Sequence, residues 1–211
     1  WSSDVCSSDL IVRECKYGQV RVCFGNVSRV EGDVMVLPAN NRLAGREGLD
    51  EVMQLVAGPE LREACTAIAK EKRKTNSQPC GVGEAVTTSA YNLPAEHLVH
   101  VVGPDCRRPN QDDARRELLP ETYVNLFVTL KEMKDIKSIV SPPVSMGIFS
   151  YPHREGARKT LEMLLNALDG EEDPGFNEFT LVVKEKNFIS NLRTVYREGE
   201  DQMPGIDTTS E

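Results

Sequence analysis

The sequence predicts an α/β fold, a mostly parallel sheet with helices on both faces. Three observations carry this reading. Strand-like and helix-like segments alternate from Gly18 to Val195. One strand-like segment, Asp33–Pro38, is a continuous apolar run, the pattern of a strand covered on both sides, and Ile136–Val144 reads as another buried strand. The 211 residues, 39% hydrophobic and 27% charged, suffice for one core of ordinary size.

The first ten residues, WSSDVCSSDL, repeat SSD-V and SSD-L, show no periodicity and resemble the translated read of a sequencing adapter. They are set aside as a non-native leader and, with no initiator Met, the chain is expected to be a fragment of a longer, multidomain protein. One domain is expected over residues 11–198. Gly18–Gly25 alternates Val20, Val22 and Phe24 against Arg21 and Cys23, which is strand periodicity. The buried strand Asp33–Pro38 follows. Helical spacing appears in Leu49, Val52, Met53 and Val56. Gly58-Pro59 punctuates, and Pro59 opens a helix that carries Leu61, Cys65 and Ile68 and ends in the basic run Lys70–Lys74. EAVTTSA and His97–Gly103 are further strands. Asp113–Lys134 is an amphipathic helix with Leu119, Tyr123, Phe127 and Leu130 on one face, kinked or split at Pro120. After the buried strand Ile136–Val144 comes a helix, Glu155–Leu168, and an acidic loop. Phe179–Val183 is the last strand, and Phe188, Leu192 and Val195 mark a closing helix. Residues 199–211 form an acidic tail with little to bury, expected to be disordered.

Net charge of −8 argues against general affinity for nucleic acid or anionic membrane. No apolar run reaches the length of a membrane span and no signal peptide opens the chain, so an intracellular location, cytoplasmic or nuclear, is expected. The cysteines at 6, 15, 23, 65, 80 and 106 form no C-x-x-C pair and no zinc-spaced cluster. They read as reduced, mostly buried thiols, and no metal is expected.

In parallel sheets ligands sit beyond the carboxyl ends of the strands. That singles out two loops leaving buried strands, Asn40–Gly48 and Ser145–Pro152, each carrying glycine. Successive backbone N–H groups in such turns form a concave surface that holds phosphate without a lysine, and glycine permits the positive φ and the close approach. An acidic protein would need such oriented amides and helix N-termini to hold an anion. Ordinary surface loops carry glycine too, so spacing alone does not decide.

The segments GNVSRVEGDVMVLPANNRLAGREGLDEV, CGVGEAVTTSAYNLPAEHLVHVVGP and IKSIVSPPVSMGIFSYP resemble the macro domain, an ADP-ribose-binding module, in family order and spacing over about residues 16–198. The resemblance implies a three-layer α/β/α sandwich around a mixed, mostly parallel sheet. It implies ADP-ribose as ligand, with no further cofactor, and mono-ADP-ribosylated proteins as partners. It also implies either hydrolysis of mono-ADP-ribose from modified side chains or non-catalytic reading of that mark. Asn40 matches the last Asn of the N-A-A-N strand end, and Asp50 the Asp closing the Gly-rich loop. Those positions serve the distal ribose and the attacking water in hydrolase members, chemistry that an amide and a carboxylate can perform. An acid in a first helical turn is also favoured by the helix dipole, and both roles can coexist. Ser145, Met146, Gly147 and Ile148 match the loop whose amides wrap the diphosphate, and Phe149 the aromatic against the distal ribose. Ligand contact is likewise implied for Asn26, Val27, Ala39, Gly45, Arg46, Gly48 and Leu49.

Several residues depart from the family pattern. Asn26 stands where an Asp reads adenine, exchanging a charged hydrogen bond worth ~1.5–3 kcal/mol for a neutral one worth ~0.5–1.5. Leu37 replaces the first Asn of N-A-A-N, Ser150 a second-loop glycine, and Arg46 and Glu47 interrupt a glycine run. A left-handed backbone at either would cost on the order of 1–2 kcal/mol, and a Glu47 carboxylate facing phosphate would repel it. The expectation is weakened, not abolished, binding. PVSMG approaches a nucleophile elbow but lacks its first glycine. His97 and His100 fall on opposite faces of a strand and make no ligand pair.

Overall fold

The computed structural model describes residues 8–107 and 115–200. Seven strands, β1 (Ser8–Cys15), β2 (Gly18–Phe24), β3 (Val34–Pro38), β4 (Ala85–Ser89), β5 (His97–Val101), β6 (Ser138–Ser141) and β7 (Glu178–Val183), form one sheet in the order β1-β2-β7-β6-β3-β5-β4. The outermost pairings, β1 with β2 and β4 with β5, are antiparallel, and every pairing between them is parallel. The helices are α1 (Gly48–Ala57), α2 (Pro59–Lys74), α3 (Leu118–Glu132), α4 (His153–Asp169) and α5 (Lys186–Glu200).

The apolar run of β3 has a direct explanation. Val34 and Val36 belong to a core that includes Tyr123 and Leu126 of α3, Leu161 and Leu164 of α4 and Phe188 of α5. Met35 and Leu37 belong to a second core with Met53 of α1 and Leu61 and Cys65 of α2. Successive side chains point to opposite faces, so a strand between two helical layers must be apolar at every position. The result is the three-layer α/β/α sandwich with a mixed, mostly parallel sheet. Among the described residues no helix is long and apolar enough to cross a membrane.

The structure differs from the sequence reading at several places. β1 begins at Ser8, inside the segment set aside as leader, and its Asp9 pairs with Arg21 of β2 at 3.0 Å. An eight-residue antiparallel partner for β2 outweighs the absence of any apolar period at its start. Residues 1–7 and 201–211 lie outside the described residues, while α5 runs to Glu200, two residues into the expected tail. Cys15, Cys65, Cys80 and Cys106 form no disulfide, but Cys23 is disulfide-bonded, against the all-reduced reading. Asp9 of the antiparallel β1 lies opposite Cys23 in the sheet. The expected helix at 113–134 is split as foreseen, though ahead of Pro120: residues 115 and 116 are helical, the chain turns at Glu117 and α3 resumes at Leu118, so Pro120 sits in its first turn, where a missing N–H costs nothing. Finally, only Met53 of the α1 set faces the core. Leu49, Val52 and Val56 are 37–48% exposed, because the inward face is given to Asp50, Met53, Gln54 and Ala57.

One buried group makes the fold pH-sensitive. His100 on β5 is fully buried, its Nε2 lies 3.0 Å from the Thr88 hydroxyl and its Nδ1 has no partner. Burial pushes its pKa down to about 4. The unfolded chain takes up this proton below the ordinary histidine value, while the native state refuses it until about pH 4. Stability therefore falls as pH drops through that window, by about 3 kcal/mol in all. Thermal melts of the wild type and His100→Gln from pH 7.5 to 4 check this. The stability difference between the two is expected to shift against the wild type as pH falls, and a pH-independent difference would contradict it.

Candidate functional site

Two loops leave the carboxyl ends of neighbouring parallel strands, β3 and β6. The first closes on itself at once. Asn40 Oδ1 accepts from the N–H groups of Arg42 (2.9 Å) and Ala44 (3.3 Å), and the Asn40 carbonyl accepts from Leu43 N–H (2.9 Å). This Asx-type turn leaves the Asn40 amide nitrogen as the group without a loop partner. Left-handed backbone falls at Leu43, Gly45 and Gly48. Arg46 and Glu47 are spared it, and Glu47 is extended at φ −145°. The strain foreseen at the interrupted glycine run is absent, because the two glycines that remain occupy the positions that need them.

Helix α1 starts at Gly48, so Asp50 lies in its first turn. The Asp50 side chain is buried, with Oδ1 3.4 Å from the Gln54 amide nitrogen and Oδ2 without a partner. Burial pushes its pKa up to about 6, opposed by the Gln54 amide and by the main-chain N–H groups of Gly45 and Asn40. An uncharged, low-dielectric setting thus holds a carboxyl group near the point where it can exchange a proton at neutral pH.

The second loop is knotted by two main-chain bonds, Ser150 N–H to Gly147 O (2.9 Å) and Tyr151 N–H to Ser145 O (3.1 Å). Ser145 has φ +65° and a buried hydroxyl with no partner. Met146 turns inward against Gly156, and its carbonyl accepts from His153 Nε2 at 2.9 Å. A methyl group built on Gly147 would meet nothing within 4 Å, and Ile148 is exposed. The two loops meet. A methyl group built on Gly48 would lie 2.5 Å from Ile148 Cδ1, so the glycine lets the second loop close over the first.

Together the loops wall a cleft of about 1470 Å³. Its lining includes Asn26, Val27, Ala39, Asn40, Arg46, Gly48, Leu49 and Asp50, and Ser145 to Phe149 of the second loop. Gly45 is the exception among the residues singled out from sequence. It is buried, and its left-handed turn carries the chain over the Gln54 side chain rather than along the cleft wall. Asn26 caps a short 3-10 turn, Val27–Arg29, its Oδ1 accepting from Ser28 N–H (3.2 Å) and Ser28 Oγ (3.0 Å). Its acceptor is therefore already engaged.

Sequence reasoning missed three features. Arg107 carries no motif, yet Asp105 grips its guanidinium at 2.9 and 2.6 Å. The guanidinium lies 5.5 Å from the Phe149 ring centroid and 3.8 Å from the Glu47 carboxylate. Glu47 therefore leans across the mouth to a cation and does not plug the cleft. Gln54, four residues after Asp50, is the helical neighbour that a spacing argument could have found. The third feature is a face of α2, with Cys65, Lys70 and Arg73, that extends the cleft beyond Asp50. Among the described residues no group of three His, Cys, Asp or Glu side chains could hold a metal ion.

Comparison with known proteins agrees with this architecture. An O-acetyl-ADP-ribose deacetylase of Escherichia fergusonii is 29% identical over 183 residues, 87% of this chain and 98% of the relative. The Oceanobacillus iheyensis macrodomain with ADP superposes at a TM-score of 0.81 with 26% identity, covering 92% of this chain and 97% of that one. A point mutant of the same macrodomain with ADPR superposes at 0.79 with 26% identity, covering 90% and 98%. The Macro domain family model matches residues 36–160, which contain both loops and Asp50, and the chain belongs to that family.

Proposed function

We propose that the cleft binds ADP-ribose and that the protein hydrolyses mono-ADP-ribose from modified protein side chains. The observation that carries the reading is the Asp50 carboxyl, buried in the cleft wall, raised to about 6 and left with one unpartnered oxygen. At pH 7 it is mostly ionised, yet basic enough to take a proton from water as that water attacks the bond joining ribose to its acceptor. Asn40, with its oxygen held by the loop, offers its amide N–H groups to ribose hydroxyls. The diphosphate lies between the Gly48 and Ser145–Phe149 segments, held by main-chain amides. The relatives support this reading. The Oceanobacillus iheyensis domain is solved with ADP and, as a mutant, with ADPR, and the Escherichia fergusonii relative is an O-acetyl-ADP-ribose deacetylase.

A reader without turnover is the second reading, favoured by Glu47 reaching Arg107 across the mouth and by the sealed Asp50 oxygen. Calorimetry with ADP-ribose, followed by incubation with a mono-ADP-ribosylated protein and with O-acetyl-ADP-ribose, separates them. Binding with release of free ADP-ribose is expected. Binding without release leaves the reader, and no binding discards both.

A further inference from the structure

The cleft is larger than its two phosphate loops require. Past Asp50 it continues along α2, where Cys65, Thr66, Ala69, Lys70 and Arg73 line it, and Arg42 of the first loop belongs to the same lining. The proximity is real on electrostatic grounds too, since the Asp50 charge adds to burial in pushing the Cys65 thiol up to about 11. Arg42, Lys70 and Arg73 are all exposed, and none is within ion-pair distance of an acid among the described residues. Some cations elsewhere on this surface are paired, Arg21 with Asp9 and Glu178, Lys131 with Glu172, Lys159 with Glu117. No acidic residue of α2 lines the arm. A chain of net charge −8 thus keeps Lys70 and Arg73, one turn apart on α2, without an acidic partner among the described residues on the lining of its cleft, with Arg42 on the same lining.

We propose that this arm receives an acidic segment of the substrate protein, flanking the side chain that bears the ADP-ribose. The proposal rests on the reading that ADP-ribose occupies the two loops, because the acceptor then leaves the distal ribose beside Asp50 and enters the arm. Electrostatic complementarity of this kind selects partners and speeds encounter. A nucleic acid is disfavoured as the occupant. Apart from Arg42, Lys70 and Arg73 the arm offers small or apolar side chains, with no aromatic ring for base stacking.

The test uses peptides of equal length carrying one ADP-ribose, with acidic or neutral flanks, titrated by fluorescence anisotropy at low salt. The acidic peptide is expected to bind about tenfold more tightly, and salt should erode the difference. Lys70→Glu with Arg73→Glu, both on an exposed helix face, is expected to abolish the preference while leaving the affinity for free ADP-ribose unchanged. Equal binding of the two peptides by the wild type overturns the proposal, as does a preference that survives charge reversal. So does tighter binding of an ADP-ribosylated oligonucleotide than of the acidic peptide. Failure of free ADP-ribose to bind in the calorimeter sinks the underlying reading and this one with it, which tells the two failures apart.

Discussion

Asp50→Asn is expected to lower kcat for release of ADP-ribose by about 10²–10⁴-fold, the usual contribution of a positioned general base. Affinity for ADP-ribose should change little, because in the proposed mechanism the carboxylate acts on water rather than on the diphosphate. The wild-type pH profile should show an acid limb centred near pH 6, activity falling as the carboxylate takes up its proton, and the variant should lack that limb. The same substitution should stabilise the fold. The folded pKa lies above the ordinary value, so the unfolded chain releases this proton first as pH rises. Between about pH 4 and 6 the native state holds more protons, stability falls with rising pH, and about 3 kcal/mol stays lost above that window. At pH 8 the variant is expected to recover ~1–3 kcal/mol, seen as a higher Tm. An inactive but more stable variant identifies a functional carboxylate carried at a cost to the fold. A variant that is less stable, or one that turns over normally, removes Asp50 from the mechanism.

That trade also explains why part of the site was legible and part was not. The layers could be read because the physics of a strand covered on both faces acts residue by residue, and Met35 and Leu37 record it as plainly as Val34 and Val36 do. The glycines could be read because a left-handed backbone leaves few alternatives. The α1 face was misjudged for the reason that makes it interesting. A hydrophobic period assumes that the apolar side goes inward, whereas α1 turns Asp50 and Gln54 inward and leaves Leu49 and Val52 at the cleft. Burial and hydrophobicity part company there, which is expected where a site is built into a helix face. Arg107 could not be read at all. Its place beside Phe149 and Glu47 is set by three segments distant in sequence, and no local spacing encodes such a meeting. The β1 start was hidden likewise, since an edge strand with one partner needs little apolar character.

Gly45→Ala is expected to be the most destabilising change in either loop, despite adding one carbon. The residue sits at φ +55°, where a side chain costs on the order of 1–2 kcal/mol. Its new methyl would also overlap the carboxamide of Gln54, a buried group that bonds to the Leu43 carbonyl at 3.3 Å and faces Asp50 Oδ1 at 3.4 Å. Forcing that group aside adds ~1–3 kcal/mol of overpacking. Tm should fall on the order of 10 °C for a chain of this size. Displacing Gln54 also removes the strongest of the dipoles that restrain the Asp50 pKa, so the acid limb of activity should move to higher pH. Gly147→Ala is the contrast. No atom lies within 4 Å of its added carbon and its backbone is not left-handed, so stability should hold within ~0.5 kcal/mol. A loss of ADP-ribose affinity in that variant would then come from the ligand's approach to the second-loop amides, since nothing in the free protein resists the methyl group. If Gly45→Ala melts like the wild type while Gly147→Ala does not, the packing assigned to the two loops is wrong.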